Sequence, residues 1–215
     1  WLGLAPCDAA HPEMVLEEGI GDVPVTVRFG ADGPVATRMA VPKMPEPGPL
    51  PPDANDLAAM LSLGAADLLP GHPPRGYGCG VPFLFLPLRD REAMGRIRLR
   101  NDLWEKHLAT WWAPSVFVFC FDTASAHARI HARMFAPALG VAEDPATGSA
   151  AAALAGYLCE REAGEGVFRW PIEQGIEMGR PSLIELDAEK RGGRVVAVGV
   201  GGRSVPISEG WIDPG

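Results

Sequence analysis

The chain has 215 residues, 47% of them hydrophobic, which is enough apolar material for one large domain or two small ones. A formal charge of −8 argues against nucleic acid or an anionic membrane as partner, because phosphate contacts need a basic surface, and favours a small molecule. No apolar run reaches transmembrane length, and residues 1–10 lack the basic start of a signal peptide.

In chain order, Val23 to Phe29 and Ala36 to Val41 read as strands joined by the turn Gly30-Ala31-Asp32-Gly33-Pro34, which predicts an antiparallel hairpin. Pro42 to Pro52 follows as a stiff, donor-poor connector, and a domain boundary is placed there, near residue 50. Asp53 caps a predicted helix that runs to Leu63, with Gly64 marking its end. Gly76 to Gly80 reads as a glycine-rich turn; it lacks the Gly-Lys-Ser/Thr ending of a phosphate loop. Val81 to Leu86 is a strand, Asp90 to Ile97 and Leu99 to Thr110 are short helices or turns, and Ser115 to Phe121 is a buried strand.

From Ala128 to Phe135, apolar positions alternate with His127, Arg129, His131 and Arg133, a period of two that predicts another strand. His127 and His131 share a spacing that metal sites also use, but the intervening cations make a metal site an unfavourable reading, and none is expected. A helix is predicted from about residue 148 to 162, then strands at Val167 to Trp170, Ser182 to Asp187 and Arg194 to Val200. The segment 204–215 is expected to cross back to the beginning of the chain. Cys7, Cys79, Cys120 and Cys159 form no Cys-x-x-Cys pair and read as reduced, mostly buried thiols of a cytoplasmic protein.

The chemistry concentrates in Glu143-Asp144-Pro145-Ala146-Thr147-Gly148-Ser149-Ala150, where a carboxylate and two hydroxyls precede an alanine-rich helix. The first turn of a helix leaves backbone N–H groups unpaired, and its dipole adds partial positive charge. A substrate carboxylate would be well received there, with Gly148 allowing close approach and Ser149 offering a hydroxyl. The competing reading is an ordinary N-cap with Asp144 solvated. Arg133 and Arg180 could each grip a carboxylate through two parallel hydrogen bonds; alternatively, Arg133 pairs with Asp144 or Glu143, and Arg180 braces the turn before Pro181. Glu143 is expected to cap or pair structurally, and Glu173 to be a solvated surface carboxylate.

A second run, Glu173-Gln174-Gly175-Ile176-Glu177-Met178-Gly179-Arg180-Pro181-Ser182, follows the first at a spacing of one helix and one connection. With Ala132-Arg133-Met134-Phe135-Ala136-Pro137, the two runs resemble the phenazine-biosynthesis-like (PhzF-like) isomerases, relatives of diaminopimelate epimerase. The resemblance implies an α+β fold of two similar halves, each a curved mixed sheet wrapped around a central helix, with the active site in the cleft between them. Residues 1–50, with the returning segment 204–215, would be the remnant of an incomplete first half. Residues 51–203 would be the second half, its central helix at about 148–162.

The resemblance further implies a cofactor-independent isomerisation of a small carboxylate-bearing metabolite, a dihydro-hydroxyanthranilate in the characterised member, and a possible homodimer. It carries Asp144 over as the group that binds and orients substrate and Ser149 as its hydrogen-bonding partner. Thr147, Gly148, Arg133 and Arg180 are the candidate substrate-binding residues. Thr147 stands where the related epimerase carries a cysteine, so a two-thiol racemase is not expected and a carboxylate is the expected proton carrier. The family's general acid/base glutamate lies in a segment with no counterpart here, and Trp1-Leu2-Gly3-Leu4-Ala5 reads as the tail of the first central helix, so Trp1 is expected not to be the native start. A non-catalytic small-anion binder or scaffold of the same fold is the alternative.

Overall fold

A computed structural model describes residues 8–205 and 208–211. Trp1 to Ala5 and Cys7 lie outside that range. The strands are β1 (Glu13–Glu18), β2 (Gly21–Gly30), β3 (Gly33–Ala40), β4 (Glu46–Pro47), β5 (Arg75–Cys79), β6 (Val81–Pro87), β7 (Ser115–Cys120), β8 (Ile130–Ala136), β9 (Val141–Asp144), β10 (Gly166–Gln174), β11 (Ser182–Arg191) and β12 (Arg194–Gly202). The helices are α1 (Ala54–Met60), α2 (Arg91–Arg96), α3 (Asn101–His107) and α4 (Gly148–Cys159).

All twelve of these strands belong to one mixed sheet in the order β1-β2-β3-β12-β11-β10-β8-β7-β6-β5-β4, with β9 off this path and paired to the end of β8. The β6–β7 and β8–β10 pairs are parallel and the others antiparallel. Helix α4 packs against β5 and β6 from one part of this path and β11 and β12 from another, so the sheet wraps around it. This is the α+β arrangement that the sequence motifs implied.

Every residue of α4 from Ala150 to Cys159 is buried, as a helix apolar on all sides must be. Its many alanines let the sheet approach closely. Phe83, Phe85, Phe117, Phe119, Ile130, Ile172, Leu186 and Val198 fill the space around it. The alternate residues of the same strands, Leu84, Leu86, Val116 and Val118, face a second core formed with Leu57, Met60, Met94 and Leu108 from the α1–α3 layer. Burial on both faces explains why β6 and β7 read as continuous apolar runs.

Several expectations are corrected. The predicted turn at Gly76 to Gly80 is largely strand β5, because the indole of Trp112 lies over Gly48 and Gly78, and both Trp111 and Trp112 approach Gly76. The tryptophans cover positions where glycine has no side chain of its own, so the backbone can stay in the sheet. β1 and β9 carry no strand signal in the sequence: Glu13-Met14-Val15-Leu16-Glu17-Glu18 shows no alternation, and β9 is only four residues long. The β11–β12 turn has Gly192 and Gly193 at φ +57° and +71°, the left-handed pair that a tight hairpin favours. The connection to β3 is made by β12. Residues 203–205 and 208–211 of the expected returning segment carry no strand, and 206–207 and 212–215 lie outside the described residues. Among the described residues no helix is long and apolar enough to cross a membrane.

Candidate active site

Helix α4 begins at Gly148, with Thr147 in the N-cap position. Thr147 does not cap with its side chain. Its hydroxyl instead donates to Asp144 Oδ2 at 2.5 Å, while the first intrahelical bond found runs from the Ala151 N–H to the Thr147 carbonyl. The N–H groups of Gly148, Ser149 and Ala150 therefore point out of the helix with no intrahelical acceptor. Ser149 is exposed, and Gly148 is half-buried beside Val200 of β12.

The 144–147 loop is held by the second motif. Gln174, fully buried at the end of β10, donates from Nε2 to the Asp144 carbonyl (2.7 Å) and to Thr147 Oγ1 (2.9 Å), and accepts from the Thr147 N–H (3.2 Å). Because Gln174 donates to the Thr147 oxygen, the single hydroxyl proton of Thr147 is left for Asp144. That orders Oδ2; among the described residues, no hydrogen bond engages Asp144 Oδ1. Ser182 Oγ donates to the Pro145 carbonyl at 2.7 Å. Gly175, at φ +79°, sits so close that an added Cβ would lie 2.4 Å from the Arg180 carbonyl oxygen and 2.8 Å from that of Pro145. The two motifs, separate in sequence, form one interlocked unit.

Arg133 does not reach this site as a free guanidinium. It is buried on β8, donates Nε and Nη2 to the two oxygens of Glu143 at 2.8 Å each, and donates Nη1 to the Met94 carbonyl of α2. All three nitrogens are committed, so the pairing alternative describes this residue and the substrate-gripping one does not. Arg180 is exposed; its backbone N–H closes the turn on the Gly175 carbonyl, and among the described residues its side chain makes no hydrogen bond. Of the two candidate arginines, Arg133 and Arg180, it is the one whose side chain is left able to meet an anion.

Glu173 is not the solvated carboxylate expected. It is 3% exposed, accepts backbone N–H groups of Ala124 (2.6 Å) and Ser125 (2.9 Å), and lies 2.8 Å from His131 Nδ1. The other ring nitrogen, Nε2, is 2.8 Å from Glu177. Burial works against a charged imidazole, but the hydrogen bonds and charges of Glu177 and Glu173 outweigh it and hold the His131 pKa above its usual value. Burial likewise tends to raise the Glu177 pKa, yet the His131 partnership leaves it below the usual carboxylate value. His127 is exposed and precedes β8, so it does not join His131. Gln174, Glu177 and Ser182 were legible only as motif positions, since nothing in a linear reading assigns them partners.

A family model described as "Phenazine biosynthesis-like protein" matches residues 4–210. The chain is 37% identical over 204 residues to an uncharacterized isomerase of Mesorhizobium japonicum, covering 93% of this chain and 67% of that protein. It is 34% identical over 197 residues to trans-2,3-dihydro-3-hydroxyanthranilate isomerase of Pseudomonas aeruginosa, covering 92% and 66%. The crystal structure of a Bacillus anthracis phenazine biosynthesis protein of the PhzF family superimposes with a TM-score of 0.78 at 19% identity, covering 89% and 65%, and shows the shared fold. The chain thus spans about two thirds of the length of each.

Proposed function

The chain belongs to the phenazine biosynthesis-like protein family, and from that premise we propose that the protein is a cofactor-independent isomerase that relocates a proton on a small carboxylate-bearing metabolite. The observation that carries this reading is the mouth of α4. There Asp144 has one oxygen ordered by Thr147 and the other, among the described residues, without a hydrogen-bond partner, close in sequence to the exposed Ser149 and the outward-facing N–H groups of Gly148 and Ser149.

In this reading the helix N–H groups and the Ser149 hydroxyl hold the substrate carboxylate, where the helix dipole favours negative charge. Asp144 binds and orients the substrate through Oδ1. Thr147 acts through Asp144, and Arg180 supplies an approaching positive charge. The carboxylate that takes a proton from one carbon and returns it to another is, by the family resemblance, a glutamate distinct from Asp144, which only binds and orients; no atom is gained or lost and no redox partner is required. In this reading residues 51–203 form the half built on α4, and the strands of residues 8–50 belong to the facing half.

The test incubates the protein in D₂O with trans-2,3-dihydro-3-hydroxyanthranilate, the compound in the name of the Pseudomonas aeruginosa relative, and with other small cyclic carboxylates. Proton relocation through an exchanging carboxylate should place deuterium in the product, read by NMR. Asp144→Ala should abolish turnover while leaving the circular dichroism spectrum and melting temperature near those of the parent. Turnover retained in that variant would overturn the assignment of Asp144.

A further inference from the structure

The charged side chains of β8, Arg133 and His131, are paired internally. Arg133 takes Glu143, and two residues earlier His131 stands between two carboxylates, Glu173 of β10 and Glu177 of the 175–180 turn. The ring is flanked by these two carboxylates, with Cys120 opposite it on β7, and the positive charge of Arg133 acts on Glu177. Burial pushes the Cys120 thiol up to about 12, so it stays neutral at physiological pH.

An ionised carboxylate only accepts hydrogen bonds, so a ring with a carboxylate at each nitrogen must donate from both, which requires the doubly protonated form. The two carboxylates are not equally anchored. Glu173 is 4% exposed in its side chain and fixed by two backbone N–H groups, whereas Glu177 is 21% exposed and sits on the turn. Losing one ring proton replaces one of the two hydrogen bonds by lone pair against lone pair. Glu177, the partner nearer water, is the one released.

That turn bears on Asp144. Arg180 N–H and Met178 N–H close it on the Gly175 carbonyl, Gly175 packs against Pro145, and Ser182 bonds the Pro145 carbonyl. Adjacent residues of β10 also face opposite ways: Glu173 reaches His131, and Gln174 reaches the 144–147 loop. We propose that His131 is a positioning residue for Asp144: by tying Glu177 to Glu173 it keeps the 175–182 turn seated against Pro145, and the seated turn holds Asp144 at the mouth of α4. The inference rests on the reading that Asp144 faces the substrate, but its test needs no substrate.

The Thr147 N–H, held by Gln174 Oε1, reports on the seating. In the full chain, nitrogen NMR should show both His131 ring nitrogens protonated at pH 6, and the hydrogen-exchange protection factor of Thr147 should fall as the ring loses a proton at higher pH. Glu177→Ala should lower that protection by about tenfold while amides of β5 to β7 keep theirs. Glu177→Gln, which retains an acceptor without the charge, should restore most of it. A singly protonated ring at pH 6, unchanged Thr147 protection in Glu177→Ala, or an equal loss in every strand would each overturn the proposal. Because exchange is read without ligand, a chain that turns over no tested compound yet shows the coupling separates failure of the proposed activity from failure of this inference.

Discussion

His131 and Glu173 face each other from neighbouring parallel strands, 2.8 Å apart, with side chains 1% and 4% exposed. Such a pair is stabilising only as a set, because a buried charge left without its partner keeps the full cost of lost hydration.

The first prediction concerns pH. The His131 pKa is raised from 6.5, so its contribution to stability is complete below about pH 6.5 and is lost as pH rises through the folded-state value. The Glu177 pKa is lowered from 4.5, so its contribution is present above about pH 4.5 and is lost as pH falls through its folded value. Together they favour the window between these pH values, and melting temperatures measured from pH 4 to 9 should decline on its alkaline side. His131→Gln should lower the maximum and flatten the alkaline decline; an unchanged alkaline slope would show that other groups set it.

Arg133 should behave as a structural cation. Arg133→Ala leaves the Glu143 carboxylate and the Met94 carbonyl without their donor and should cost about 3 kcal/mol in urea unfolding. Arg133→Lys should recover little, since a single ammonium cannot reproduce the paired bonds to Glu143 and the third to Met94. A double-mutant cycle with Glu143→Ala should show strong coupling. Additive losses would mean that the two residues stabilise the fold independently.

Gly175 and Gly179 provide a matched comparison, since both have positive φ, +79° and +68°. An added Cβ meets open space at Gly179 but backbone at Gly175. Gly179→Ala should therefore cost about 1 kcal/mol, the conformational penalty alone. Gly175→Ala should cost about 2 kcal/mol or more and shift the amide resonances of residues 144–149. Equal costs in denaturant titrations would remove the close approach to Pro145 from the account.

Much of this fold was legible because its signals are local. The alternation at residues 128–135, the all-apolar helix after Gly148 and the hairpin around Gly30 depend on residues near one another in sequence, and each lies where the pattern put it. β5 was hidden because its glycines acquire their cover from Trp111 and Trp112, more than thirty positions away. The motifs likewise announced an anion-ready helix start, but a linear reading left Glu173 in solvent and Arg133 with two possible roles.

The sequence by itself determined which segments could become strand or helix, and which polar groups could stand at the start of α4, because propensity, periodicity and helix-end chemistry act over a few residues. Only the tertiary structure decided how those groups are used. β8 and β10 become neighbours through a crossover that contains α4, and this alone sets His131 beside Glu173 and Gln174 beneath Thr147. A charge or hydroxyl is left available or consumed by its spatial partners: Arg133 is consumed and Ser149 is exposed, and nothing in their sequence neighbourhoods fixes that difference.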